Sequence, residues 1–316
     1  MNRYRTIHNV SWPEGCRFAF TFVDDTDCAT FENVKPVYDL LDELGLRTTK
    51  TVWPLSCGEA TGEEGVSIDD DPGYRDFVLD LKRKGFEIAL HGVRATGAVR
   101  EEIERGLARY REIFGEYPRI HINHALNPDN ICWGSERFRW LGWLYRLVTG
   151  ERYFGGDPSS DYFWGDLHRQ HIAYTRNLTF NDIDTLRADP WFPYRRPECA
   201  RWGNLFFSAS NAPDIEAAVD LLTRRNVDRL VRRGGLCIAY THFGKGFAPG
   251  GALDERFAEA MRYVASQPGW FAPVGEVLDY LVELRGGAGE LSGWQQLLLE
   301  LRWARDTLKS RWPWRG

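Results

Sequence analysis

No two of the six cysteines form a CxxC pair; Cys16, Cys28, Cys57, Cys132, Cys199 and Cys237 are scattered singly along the chain. That spacing supports neither a zinc finger nor a disulfide framework, and reduced cytosolic thiols are the simplest reading. Met1-Asn2-Arg3-Tyr4-Arg5 leads into polar and aromatic residues, without the apolar core of roughly 7–15 residues that a secretory signal needs. No run approaches the ~20 apolar residues of a membrane-spanning helix. A net charge of −5 gives no general footing for nucleic acid. Tandem repeats and low-complexity stretches are absent too. The expected location is cytoplasmic, free or peripheral at a membrane.

What is present is a soluble globular composition over 316 residues, enough for one large core and typical of a single α/β barrel. Residues 17–23 (RFAFTFV) read as a buried strand that runs into Asp24-Asp25. A helix is expected from about Asn33, with Pro36 in its first turn, an apolar stripe through Val37, Leu40, Leu41 and Leu44, and Gly45 as its stop. The β-branched stretch 48–53 follows as a strand. The rhythm then repeats: a helical face at Tyr74, Phe77, Val78 and Leu81 stops at Gly85, and strand 86–90 ends at His91. Val99, Ile103, Leu107, Tyr110 and Phe114 mark another helix, and strand 119–123 ends near His124. Strand, helix, glycine, strand is the signature of βα units around a parallel sheet.

Residues 150–201 break the pattern with many Asp, Pro, Trp and Tyr, and read as long loops with short strands over the active-site face. Strands return at 204–209 and 236–240, the latter ending at Thr241-His242, with helices at 215–222, 253–264 and 274–284. Beyond a hinge at Gly286-Gly287-Ala288-Gly289, Trp294, Leu297, Leu298, Leu301 and Leu308 recur at helical spacing opposite Arg302, Arg305 and Lys309. The expected division is a barrel over 1–285 and an amphipathic helical tail over 286–316. That tail fits packing on the barrel, a subunit contact or a membrane surface.

Four strand ends carry polar groups: Asp24-Asp25, His91, His121-Asn123-His124 and His242. In parallel barrels the C-terminal strand ends form the active-site face, so groups distant in sequence can converge there. Carboxylate and imidazole suit Zn²⁺ and other borderline divalent ions, which polarise carbonyls and acidify bound water. The alternative is that Asp24 and Asp27 are solvated loop charges. Trp133, Trp164, Trp191, Arg195, Arg196 and Trp202 could line a sugar or anionic cleft, or pin the long loops.

Phe22-Val23-Asp24-Asp25-Thr26 resembles the TFDDG motif of the NodB-like polysaccharide deacetylases (carbohydrate esterase family 4). Leu90-His91-Gly92 resembles that family's histidine-bearing motif, and Ala239-Tyr240-Thr241-His242 its late LxH motif. The ordered set covers about residues 15–285. The resemblance implies a distorted (β/α)7 barrel and metal-assisted removal of an N-acetyl group from a sugar or glycan precursor. By position it makes Asp24 the general base and Asp25 and His91 metal ligands, with His242 as the general acid or an orienting group. The metal would be Zn²⁺, or Co²⁺ or Ni²⁺. The family's second histidine, four residues after His91, is here Ala95. His124, with His121 behind it, is the expected third ligand, and Asn123 shares a strand face with His121. Trp133, Trp164, Arg195 and Trp202 are the expected substrate contacts. A non-sugar amide as substrate, or a catalytically degenerate carbohydrate-binding barrel, are the alternatives.

Overall fold

The structure, a computed structural model, describes residues 10–58 and 65–311. The expectations for Met1–Arg5 and for the side chain of Lys309 lie outside the described residues. In chain order the elements are β1 (Phe18–Asp24), α1 (Phe31–Glu43), β2 (Thr49–Val52), α2 (Pro72–Arg83), β3 (Glu87–Leu90), α3 (Arg100–Phe114) and β4 (Ile120–His121). After a long connection come α4 (Gly142–Thr149), α5 (Gly165–His171), β5 (Tyr174–Phe180), α6 (Thr185–Ala188), β6 (Leu205–Asn211), α7 (Ile215–Leu221) and α8 (Arg224–Arg233). The chain finishes with β7 (Leu236–Thr241), α9 (Glu255–Ala265), β8 (Gly269–Trp270), α10 (Val274–Leu284) and α11 (Gly293–Arg311).

Strands β1 to β7 are parallel and close into a seven-stranded barrel, because β1 pairs with both β7 and β2. The short β8 pairs with the start of β1 at Phe18 and Ala19, on the edge that β2 takes up at Val23 and Asp24. Helices pack around the barrel, as the repeated strand–helix rhythm predicts. All seven residues of β1 are buried, so no polar alternation reveals its two faces. Contacts reveal them instead. Phe22 meets Phe257 of α9, and Asp24 meets Tyr38 of α1, so the even-numbered residues face the helix layer. By the two-residue period of a strand, Asp25 turns toward the barrel interior.

Two differences from the sequence reading affect the site. Thr30, not Asn33, opens α1: its hydroxyl accepts from Asn33 N while Asn33 Oδ1 accepts from Thr30 N, a reciprocal capping box. Pro36 therefore lies past the first turn. Within the stretch read as loops, Tyr174–Phe180 forms a full barrel strand, paired with β4 and β6 and bulged between Arg176 and Thr179.

The tail helix α11 lies against the barrel's loop layer. Leu299 and Gln296 are buried, and Trp303 packs on Phe138 and Tyr145. Its Glu300 carboxylate accepts from the backbone N–H groups of Arg139, Trp140 and Leu141, just ahead of α4. The carboxylate thereby fixes the turn that leads into α4 at its N-cap, Leu141.

Candidate metal centre and its surroundings

The C-terminal strand ends do converge. Asp27, in the turn after β1, accepts at both oxygens from imidazoles: Oδ2 lies 3.0 Å from His91 Nε2 and Oδ1 lies 2.9 Å from His124 Nε2. His91 follows β3, and His124 follows β4. His242, at the end of β7, brings its Nε2 to 3.5 Å from Asp27 Oδ2. Asp25 stands beside this group, with Oδ2 4.0 Å from His91 Nε2. A bidentate pair holds it: Arg176 Nη1 donates to Oδ1 at 3.0 Å and Nη2 to Oδ2 at 2.7 Å. Since β5 is not adjacent to β1 in the ring, this pair spans the barrel mouth. Arg176 in turn lies over the Tyr240 ring, 4.1 Å from its centroid.

Backbone carbonyls fix His91 and His242 from behind. The Ile122 carbonyl can only accept, so its 3.1 Å contact places a proton on His91 Nδ1 and leaves Nε2 as the ring atom that faces Asp27. The Pro213 carbonyl does the same for His242 Nδ1 at 2.6 Å, and the Tyr240 hydroxyl then donates to His242 Nε2. Trp53, fully buried at the end of β2, stacks on His91 and meets His124 edge-on, while its indole N–H donates to His91 O. The loop carrying His124 is tied by Asn123, which bridges Ile131 N and O, and by Asn130, whose amide donates to His124 O and Ala125 O.

Electrostatics follow from this crowding. Burial alone would raise the Asp27 carboxyl, but the charge of His91 and the hydrogen bonds of both imidazoles hold it well below the usual range. His124 is raised: burial opposes the charged ring, and Asp27 outweighs it. His242 is lowered, chiefly by burial, with Asp25 and Asp27 working the other way.

The Asp27, His91 and His124 donor atoms all lie within 4.8 Å of one another, as do those of Asp25, Asp27 and His242. One carboxylate and two imidazoles form a donor set that divalent ions of the zinc type accept. His91 carries the outer hydrogen bond, Nδ1–H to a carbonyl, that such ligands usually make. The residues present fit a divalent ion.

Of the residues singled out in the sequence, Asp25, His91, His124 and His242 meet at the mouth. Asp24 does not join them, and its proposed role as base needs correction. Its Oδ2 accepts from Lys50 Nζ at 2.9 Å and Tyr38 OH at 2.8 Å, and Oδ1 from Phe243 N at 2.7 Å. Both oxygens are used in a fully buried ion pair between barrel and helices, where Asp24 raises the Lys50 ammonium against the pull of burial. Asp24→Ala should therefore cost about 3–5 kcal/mol of stability, because Lys50 is left buried without a counter-charge. Urea unfolding checks this. The double variant Asp24→Leu/Lys50→Met should recover much of the loss, since it removes both charges.

His121 turns away from the cluster, with its ring against Trp164 and His168, and burial holds it well below the ordinary imidazole range. Asn123 is a loop clamp. Among the expected substrate contacts, Trp164 is buried and donates to Asp129 O, and Trp202 packs on Phe163 and Arg201. Arg195 is exposed near Tyr174 and Leu205, the first residues of β5 and β6, so it lies at the opposite end of the barrel. Trp133 alone stays near the mouth, half-buried, its indole donating to Ala125 O beside His124. Trp191 and Arg196 are buried packing residues.

The sequence reading missed Arg176, Trp53 and the part played by Asp27. Arg176 had a signal: Tyr174, Arg176, Leu178 and Phe180 alternate with Thr175, Asn177 and Thr179. Asp27 had one too, being two residues from Asp25 while Asp24 has the opposite parity.

No family model matches the chain, and no curated protein matches its sequence. Solved structures do resemble it. A Mycobacterium smegmatis protein classed as a polysaccharide deacetylase superposes with a TM-score of 0.52 at 14% identity, covering 92% of this chain and 98% of its own. A Pseudomonas aeruginosa PAO1 protein classed the same way gives 0.53 at 14%, covering 86% and 93%. The Puue allantoinase gives 0.54 at 13%, also covering 86% and 93%. At these identities the likeness establishes the fold. The chain has the NodB-type (β/α)7 barrel of polysaccharide deacetylases, divergent in sequence.

Proposed function

We propose that this barrel, with the Asp27–His91–His124 trio beside an Arg176-held Asp25, is a metal-dependent hydrolase that removes an acyl group from nitrogen. The observation that carries the reading is that trio and its neighbour at one barrel mouth. Asp27, His91 and His124 would hold a divalent ion, Zn²⁺ first by donor type, with Co²⁺ and Ni²⁺ as substitutes. Such an ion supplies carbonyl polarisation and a more acidic bound water.

The chain's own groups supply the proton traffic. Asp25 takes a proton from the water that adds to the acyl carbon; Arg176 keeps the carboxylate oriented through two hydrogen bonds. His242 presents Nε2 to the same space; the proton that Asp25 takes is passed through it to the leaving nitrogen, so the C–N bond breaks and both groups return to their starting state. The products are a carboxylate and an amine. These roles move the ligand to Asp27 and the base to Asp25, each one or two residues beyond its expected position. Since His124 provides the imidazole that Ala95 does not, the reading as a degenerate binding barrel loses its motive.

An N-acetylated sugar or glycan precursor is the proposed substrate. A non-sugar amide is the second reading, favoured by the equal likeness to an allantoinase fold. Acetate release from N-acetylated sugars, set against release from simple non-sugar amides, separates them. We expect release from the sugars to be lost after chelation and restored by Zn²⁺. Activity indifferent to chelator and metal would refute the metal-dependent reading; acyl release from non-sugar amides alone would select the second substrate.

A further inference from the structure

We infer that the α4–α11 side of the molecule is a docking surface for an anionic phospholipid membrane. The inference is independent of the proposed reaction. Helix α4 is short and carries apolar side chains where solvent would otherwise lie: Trp143, Leu147 and Val148 are 71%, 75% and 73% exposed, with Leu144 beside them. On a helix these four fall within one arc. Trp140, also exposed, donates its indole N–H to Gly293 O, next to exposed Trp294. From Trp294 the exposed stripe runs along α11 through Leu301 and Leu308. Two helices thus present Trp and Leu on neighbouring faces, where folded proteins ordinarily keep apolar patches small.

Charge selects the occupant. The whole chain is acidic, with a net charge of −5, yet the acidic groups of these two segments are engaged with the protein. Glu300 caps the chain ahead of α4, Glu151 accepts from the Tyr145 and Tyr153 hydroxyls, and Asp306 accepts from Asn181 N. Arg146, Arg152 and Arg305 remain exposed. The sequence continues this character with Lys309, Arg311, Trp312, Trp314 and Arg315. Exposed Trp and Leu interleaved with outward Arg match the interface of an anionic bilayer, where indoles sit at headgroup level and cations meet lipid phosphates. No described helix is long and apolar enough to cross a membrane, so the contact would be peripheral.

The face connects to the site. Arg137 lies over Trp133 and donates to Tyr145 of α4, and Trp133 braces Ala125, next to His124. Leu126 follows, 74% exposed. Docking through α4 would thus bring the membrane close to the loop that carries His124.

Flotation of the full chain with vesicles tests this. Vesicles of phosphatidylcholine with about a third phosphatidylglycerol should carry most of the protein at low salt. Pure phosphatidylcholine should carry at least about tenfold less, and salt should weaken the binding. Trp143→Glu/Leu147→Glu alters only exposed positions, so its circular dichroism and unfolding should stay as in the parent while vesicle binding falls at least about tenfold. Equal binding by parent and variant would overturn the inference, as would no binding by the parent. A parent dimer that the double variant converts to monomer, with no vesicle binding by either, would assign the face to a second copy instead.

Discussion

Asp27→Ala is expected to empty the metal site and abolish turnover while leaving the fold intact. In the parent, both Asp27 oxygens reach imidazole nitrogens, and among the described residues no other carboxylate touches both His91 and His124. The variant keeps two neutral donors, and a pair of imidazoles without a carboxylate holds a divalent ion far more weakly. Metal bound after dialysis should fall from about one per chain to near none. Removing the ion's charge stabilisation is worth several kcal/mol, so turnover should drop about 10³-fold or more. Stability should change much less than for Asp24→Ala, because Asp27 sits at the mouth and lacks a buried lysine partner. Plasma mass spectrometry on dialysed protein, together with urea unfolding, separates the two aspartates. If Asp24→Ala lost the metal and Asp27→Ala kept it, the roles drawn here would be reversed.

Asp25→Asn is expected to do the opposite: keep the metal and lose the chemistry. The amide preserves the shape and still offers one acceptor to Arg176, but it cannot take a proton. General-base catalysis typically contributes about 10²–10⁴-fold, and that is the expected fall in kcat, with KM little changed. Arg176 loses its counter-charge in a buried position, so the variant should also be less stable; comparison with Asp25→Glu controls for this. Metal content that falls together with turnover would make Asp25 a ligand, the role its sequence position first suggested.

The contrast among these three aspartates shows what the sequence carried. The barrel was legible because each βα unit repeats an apolar strand, an amphipathic helix and a glycine. The strand-end histidines were legible because polar groups recurred at one topological place. The aspartates were not, since a short motif aligned by position cannot say which side of a wholly buried strand faces inward. In β1 every side chain is buried, and the even residues feed a helix layer that includes the Lys50–Asp24 pair. Arg176 escaped because β5 is bulged and lies among Trp-, Pro- and Asp-rich connections that read as loop. Ala95 packs with Trp53 and Cys57 in a small buried cluster, and the indole of Trp53 meets the rings of His91 and His124. The absence at position 95 was visible in sequence; that contact was not.

The most direct test is an anomalous-difference map at the zinc edge from a crystal of the chain grown with Zn²⁺. We predict a single strong peak about 2.0–2.2 Å from Asp27 Oδ, His91 Nε2 and His124 Nε2, with Asp25 outside the coordination sphere. A peak held by Asp24 or His121, or no peak at the barrel mouth, would contradict it.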